Sequence, residues 1–405
     1  MTQRALIEPA NAPVADPVAG TPGLRAFSSP VFRTTLALTL LIIGLALVGM
    51  MLMGQASDSD GQFGIDFGAY YLAAERVVQG EAVYPPEFLD GPIAAQGVDQ
   101  YLYPPLVAQV LTPITAISRE TVQVLWLLFQ AAAVFAALWI GTGIGGARAN
   151  LERALWCGVA AAYYLPVFDA LWKGNVSGFL ALSSVAVALG GSAAGLGAAV
   201  GALVKAVPGT LLPAALVADR RSRWTTILVL GIAGAVSFAL APAAWLDYPT
   251  VIQNMLGGSA HYANNLSPAG VADSLGLADP VVGLARLASL LVAAACLLGS
   301  AWMARARAGL PVAALLGVIA LLLLPGSLWY HYLVVLLPFA AIAWPKASRN
   351  VRIVLFSAAM FISLSLVWLP LALFGATVLA GMTLLVIWPP VAAGPATTLP
   401  TEASV

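Results

Sequence analysis

The chain has 405 residues, of which 60% are hydrophobic and only 9% charged, and its 18 basic and 18 acidic side chains cancel. Soluble domains carry about 25% charged residues. A mean hydropathy of +0.91 therefore excludes a soluble protein and predicts an all-α polytopic integral membrane protein, with length for about 10–12 transmembrane helices of roughly 20 residues. Zero net charge provides no field for a nucleic acid. Cys157 and Cys296 both lie in apolar runs, and two histidines are too few for a multi-histidine cluster, so neither metal nor cofactor is expected.

Residues 1–33 form a Pro/Ala-rich tail carrying Arg4, Arg25 and Arg33. It is expected to be disordered and, by the positive-inside rule, cytoplasmic. The apolar run Thr34–Met53 is too long for a signal-peptide core and reads as an uncleaved signal anchor. Residues 54–103 then hold Asp58, Asp60, Asp66, Glu75, Glu81, Glu87, Asp90 and Asp99 against one basic residue, Arg76, which places this segment outside. Fifty residues without structure would be unusual. Phe67, Tyr70, Tyr71, Ala74, Val77 and Val78 recur at helical spacing, predicting a helix at the membrane interface that ends at Gly80. Asp66 sits where an N-cap would sit, or where a reactive carboxylate would meet the outer membrane surface. Tyr103-Pro104-Pro105 returns the chain to the bilayer.

Between 104 and 219 the apolar runs are 104–118, 121–143, 154–171, 176–190 and 192–218. Five simple crossings would put Arg148 and Arg153 outside and Asn175 inside. Alternatively, 104–118 does not cross and 192–218 is a re-entrant hairpin broken near Pro208, because helix breaks at membrane depth occur where backbone lines a cavity. That arrangement puts the arginines inside and Lys173-Gly174-Asn175 outside, and the sequence leaves both open. Beyond it, spans near 225–245, 280–303, 311–324, 329–345, 353–370 and 373–388 alternate without conflict. Arg220, Arg221, Arg223, Arg305, Arg307, Lys346, Arg349 and Arg352 fall inside, and Asp247, Asp273 and Asp279 outside. Residues 34–390 thus form one transmembrane domain, followed by a second cytoplasmic tail over 391–405.

Lys205 lies in the apolar run Gly191–Leu216. An intramembrane lysine marks a functional site unless it is paired or snorkels to the interface. His331 follows Trp329 at the start of a span entered from outside. His261, Asn264 and Asn265 lie in the outer loop 246–279 and could hydrogen-bond a polar ligand, although a plain polar loop would look the same. No nucleotide-binding Gly-rich loop or Asp-x-Asp motif is present.

An ordered set of short motifs then resembles glycosyltransferase family 87. It comprises Asp66-Phe67-x-x-Tyr70-Tyr71-x-Ala73-Ala74, Gly80-x-x-x-Tyr84, Tyr103-Pro104-Pro105-Leu106, Gly174-Asn175-x-Ser177, Lys205-x-x-Pro208, Asn264-Asn265-Leu266-Ser267 and Trp329-x-His331-Tyr332. The family's Gly-Gln-x-Asn is altered at 174–177, with the amide shifted. The resemblance implies a membrane glycosyltransferase of the GT-C superfamily, with residues 54–103 as an external catalytic loop. Such an enzyme would move a hexose, mannose first among candidates, from a polyprenyl-phosphate sugar to a glycolipid or polysaccharide acceptor on the extracytoplasmic face, among membrane lipids. It further implies inversion at the anomeric carbon with Asp66 as general base. Tyr70, Tyr71, Tyr103, Asn175, Lys205, Asn264, Asn265 and His331 would bind substrate. A polyprenyl-phosphate-arabinose transferase shares the superfamily. A flippase for a lipid-linked sugar is the main alternative class and would place charges inside several spans, where only Lys205 and Lys173 qualify. A membrane scaffold would need neither Asp66 nor Lys205.

Overall fold

The computed structural model describes residues 29–57, 63–91, 93, 100–257, 264–364 and 368–389. Residues 1–28, the tail 391–405 and His261 lie outside the described residues. Among the described residues every regular element is helical. Five helices are long and apolar enough to cross a membrane: α1 (Pro30–Ala56), α4 (Arg119–Ile144), α10 (Arg220–Leu240), α13 (Asp279–Met303) and α17 (Leu369–Ile387). A sixth candidate is the pair α5 (Leu151–Tyr163) and α6 (Leu165–Lys173), bent by 70° at Tyr164. Pro166 in the first turn of α6 explains the bend, because its ring cannot continue the helix from α5.

The remaining helices are shorter: α2 (Ile65–Gln79), α3 (Pro105–Leu111), α7 (Ser177–Val187), α8 (Gly191–Val204), α9 (Leu212–Ala218), α11 (Pro242–Gly257), α12 (Pro268–Ser274), α14 (Leu310–Leu323), α15 (Leu337–Ala343) and α16 (Arg349–Leu364). Several continue through 3-10 turns, at Thr112–Ala116 after α3, Val207–Leu211 before α9 and Tyr330–Leu336 before α15. Their faces supply the core, in which Leu211, Val312, Leu315, Leu333, Leu336, Phe339 and Ile342 are fully enclosed. The Gly/Ala-rich α8 packs on α7 and α10, and a Cβ at Gly197 would stand 2.6 Å from the Ser183 carbonyl. Small residues allow this close approach between helices that lipid cannot drive together by hydrophobicity.

Specific contacts decide the topology of 104–219. Tyr70 donates to the Tyr103 hydroxyl, and Tyr71 to the Ile117 carbonyl. Both ends of segment 104–117 therefore sit beside α2, and the segment leaves and returns on one side. Arg33, at the start of α1, pairs with Glu152 at 2.8 Å, so the turn between α4 and α5 lies at the face where α1 begins. The Asp219 carboxylate accepts from Gly191 N at 2.9 Å, closing the base of the α8–α9 hairpin, while Lys205 stands at its tip. These contacts fit the hairpin arrangement and not five simple crossings. It puts Arg33, Arg148, Arg153 and Arg220–Arg223 on one face, and Asp66 and Asn175 toward the other.

Two further features differ from expectation. Asp66 is not the helix cap: Gly64 (φ 72°) occupies the N-cap of α2, and Asp66 is the second helical residue. In addition, α2 buries Phe67, Tyr70, Tyr71, Ala73 and Ala74 against protein, and Gly80 (φ 75°) ends it as predicted.

Candidate functional site

The site begins with a backbone clasp between α2 and α6. Gly64 N donates to the Trp172 carbonyl at 2.7 Å, and Trp126 Nε1 donates to the Gly174 carbonyl at 2.8 Å. Gly174 has φ 70°, and a Cβ there would stand 2.6 Å from Phe67 Cβ. A left-handed residue with no side chain is therefore required at this crossing. It sets the next residue, Asn175, against the first turn of α2.

Asn175 Nδ2 donates to Asp66 Oδ2 at 2.8 Å and lies 3.3 Å from the Tyr103 hydroxyl. Its amide orientation is fixed from behind, because Asn175 Oδ1 accepts from Ser177 N at 3.0 Å and Ser177 Oγ at 2.7 Å. Tyr70 donates to the Tyr103 hydroxyl at 2.8 Å, with the rings edge to face. Burial, with the Asp66 charge adding to it, pushes both phenols well above the ordinary tyrosine range, so both remain protonated. Lys205 Nζ donates to Tyr103 at 3.3 Å and to the Tyr332 hydroxyl, and lies over both rings at 4.8 and 4.2 Å. The sole ion pairs of lysine in the described residues join Lys173 to Asp169, so Lys205 is held by phenols and aromatic faces without a carboxylate against it. Asp66 is half-buried at the other end of the same network.

A second group adjoins the first. His331 stands edge to face on Tyr332, with centroids 4.8 Å apart, and its Nδ1 lies 3.1 Å from Asp169 Oδ2. Asp169 also accepts from Trp172 Nε1 and Lys173 Nζ. His331 is 4% exposed, yet its Nε2 is buried without a partner. The Asp66 charge reaches both Lys205 and His331.

Asp66, Tyr70, Tyr103, Asn175, Lys205 and His331 thus converge from five separate stretches of chain. Three other expected ligands do not join them. The Tyr71 hydroxyl is taken by the Ile117 carbonyl. Asn265 is 1% exposed and bridges two loops, donating to Gly326 O and accepting from Ser267 N and Leu328 N. Asn264 is exposed at φ 62°, a left-handed turn residue. Reading the sequence missed Asp169 and the lysine contact of Tyr332. The signal for Asp169 was present, as a lone carboxylate in the apolar run 154–171, which by default marks a site inside a membrane. Arg286 in α13 is also an intramembrane charge. Its guanidinium donates to the carbonyls of Leu323, Leu324 and Pro325 and so caps α14, a structural task.

Among the described residues no group of three or more His, Cys, Asp or Glu could hold a metal ion. The arrangement offers a carboxylate free to take a proton and, across one layer of phenols and an amide, a cation and an imidazole free to meet an anion. These groups lie within an all-helical fold that carries five helices long and apolar enough to cross a membrane. Residues 101–325 match the family model of glycosyltransferase family 87, more than half the chain, and the chain belongs to that family. It is accordingly a membrane glycosyltransferase, with a sugar donor and an acceptor as its partners. The match includes Tyr103, Asn175, Lys205, Asn264 and Asn265, whereas Asp66, Tyr70, Tyr71 and His331 lie outside it and are tied to it by geometry. Comparisons with curated proteins and with solved structures gave no match.

Proposed function

We propose that the protein is a GT-C-type enzyme transferring a hexose, mannose first, from a polyprenyl-phosphate sugar to a glycolipid or polysaccharide acceptor. The observation that carries this reading is Lys205. It is a cation at the tip of a re-entrant hairpin, without a carboxylate against it, joined to Asp66 through Tyr103 and Asn175. A strongly hydrated ammonium is expensive to bury without an anion, and a lipid phosphate supplies one at this depth.

In the reaction, Asp66 accepts the proton of the acceptor hydroxyl as its oxygen bonds to the anomeric carbon. The bond from that carbon to the phosphate oxygen breaks, and its electron pair leaves with the phosphate. Lys205 and His331 meet the charge that develops there. Attack opposite the leaving group inverts the anomeric centre. Asn175 and Tyr103 hold Asp66 and Lys205 apart, so that base and cation do not neutralise each other. The positive-inside rule favours a cytoplasmic position for the arginine-rich face, and this supports a site on the extracytoplasmic side.

The test is to incubate protein in nanodiscs with labelled polyprenyl-phosphate mannose and extracted membrane lipids, beside arabinosyl and nucleotide-sugar donors. A labelled lipid or polysaccharide product from the mannosyl donor is expected. Transfer from a nucleotide sugar alone would overturn the donor assignment. Donor crossing the bilayer without product would favour a flippase. For sidedness, a cysteine at exposed Glu81, in a background without Cys157 and Cys296, should react with an impermeant thiol reagent on intact cells. One at exposed Arg221 should not, and the reverse pattern would place the chemistry in the cytoplasm.

A further inference from the structure

His331 meets the leaving-group charge in the reaction above, whereas its partner Asp169 has no part in it beyond lying beside the site. Asp169 is 8% exposed and His331 4%, so both groups were taken out of water on folding. Three side chains surround Asp169: Trp172 Nε1 donates to it at 3.1 Å and Lys173 Nζ at 3.3 Å, and His331 Nδ1 lies 3.1 Å away. An acceptor-only carboxylate in that setting requires the histidine to carry a proton on Nδ1. The hydrogen bond made by one ring nitrogen decides what the other can do. Here the other nitrogen, Nε2, is buried and unpartnered, a costly state for a polar atom. A purely structural histidine would be expected to satisfy both nitrogens. The ring is packed edge to face against Tyr332, the same phenol that receives Lys205, so its position is fixed relative to the cation.

We infer that Asp169 is a positioning residue, which fixes the His331 ring with Nδ1–H on its own carboxylate and Nε2 presented to the anionic leaving group of the sugar donor. This rests on the reading in which a lipid phosphate occupies the Lys205 end of the site. Lys173 balances the Asp169 charge, so protonation of His331 leaves the trio with a net positive charge facing the phosphate. Trp172, from the same helix turn, sets the carboxylate plane. Among the described residues Tyr332 also packs on the ring, and the Asp66 charge bears on it.

The chain has only two histidines, His261 and His331, which makes the pair directly observable. Full-length protein labelled with ¹⁵N-histidine in nanodiscs should show His331 protonated at Nδ1, with its signals assigned by their loss in His331→Gln. Asp169→Asn should abolish that preference, and Asp169→Glu should restore part of it. Polyprenyl monophosphate should shift the Nε2 resonance of wild type and leave that of Asp169→Asn in place. Turnover of Asp169→Asn should fall on the order of 10²-fold or more, with donor KM changing far less. An unprotonated Nδ1 in wild type overturns the role of Asp169, whatever the variants do. So does a variant with unchanged tautomer and kcat. A protonated Nδ1 that ignores polyprenyl phosphate overturns the donor reading and the ligand assigned to Nε2, but not the Asp169–His331 bond itself.

Discussion

Helices α1 and α8 draw on the same apolar vocabulary and use it in opposite ways. α1 runs 27 residues and turns Ile42, Leu45, Met50 and Met53 outward, with only Ala37 and Gly44 buried. α8 has 14 residues, built from glycine, alanine and a few larger side chains. It buries Ala194, Gly195, Gly197, Ala198, Ala199 and Gly201 and stops at Lys205 in extended backbone. One helix is shaped to meet lipid and the other to meet protein. Hydropathy alone scores both as membrane segments, yet only the second delivers a charged group to the site. Length and side-chain volume, more than apolarity, separate the anchoring helices from those that carry chemistry.

The largest expected effect lies at the chemical end of this contrast. Asp66→Asn keeps shape and loses the base, so turnover should drop about 10²–10⁴-fold with helix content and donor binding retained. Measured turnover close to wild type would remove Asp66 from the reaction. Lys205→Met preserves the aliphatic stem and deletes the charge. Losing a hydrogen bond to a charged group costs about 1.5–3 kcal/mol, on the order of 10- to 100-fold in donor affinity by titration, and unchanged affinity would move the phosphate elsewhere. Asn265→Ala strands the Ser267 and Leu328 amides and leaves the Gly326 carbonyl with Ser267 Oγ alone. It should lower thermal stability by about 1–3 kcal/mol while donor KM holds, whereas a raised KM at normal stability would make Asn265 a ligand. Gly195→Ala drives a methyl into the Ser222 carbonyl where α8 meets α10. Overpacking of that kind costs about 1–3 kcal/mol, read as a lower unfolding temperature in detergent. Gly49→Ala in α1 meets nothing within 4 Å and replaces a helix-interior glycine. It should be neutral or stabilising by up to about 1 kcal/mol. If it destabilised as much as Gly195→Ala, the division between lipid-facing and protein-facing helices would fail.

Much of the membrane architecture was legible in the chain. The signs of its charges alternate from Arg220 onward, and the five long helices coincide with apolar runs. The course of 104–219 was not legible, because a crossing helix and a re-entrant hairpin have the same hydropathy. The contacts that separate them, Arg33 to Glu152 and Gly191 to Asp219, join residues far apart in sequence. At the site, Asp66 and Lys205 stood out as charges beside or within apolar stretches. Asp169 met the same criterion and escaped notice, since it has no place among the motifs quoted for the family. Asn264 and Asn265 show the converse. A polar pair in an outer loop suits sugar hydroxyls on paper, but Asn265 spends its amide on two backbones, and only three-dimensional pairing reveals that.

The hairpin formed by α8, the 3-10 turn Val207–Leu211 and α9 enters and leaves the fold at a single clasp, Asp219 to Gly191. Hydrogen bonds from Ser222 N and Gly191 N hold that carboxyl below the usual range, so the clasp is intact at neutral pH and weakens only as the medium becomes acidic. Beyond that clasp its legs pack on α7, α10, α13 and α14, and Lys205 at the tip bonds Tyr103 and Tyr332. The length of the hairpin therefore fixes where the cation stands, and one added turn on each leg, about 5.4 Å, would pull Lys205 out of register with both phenols.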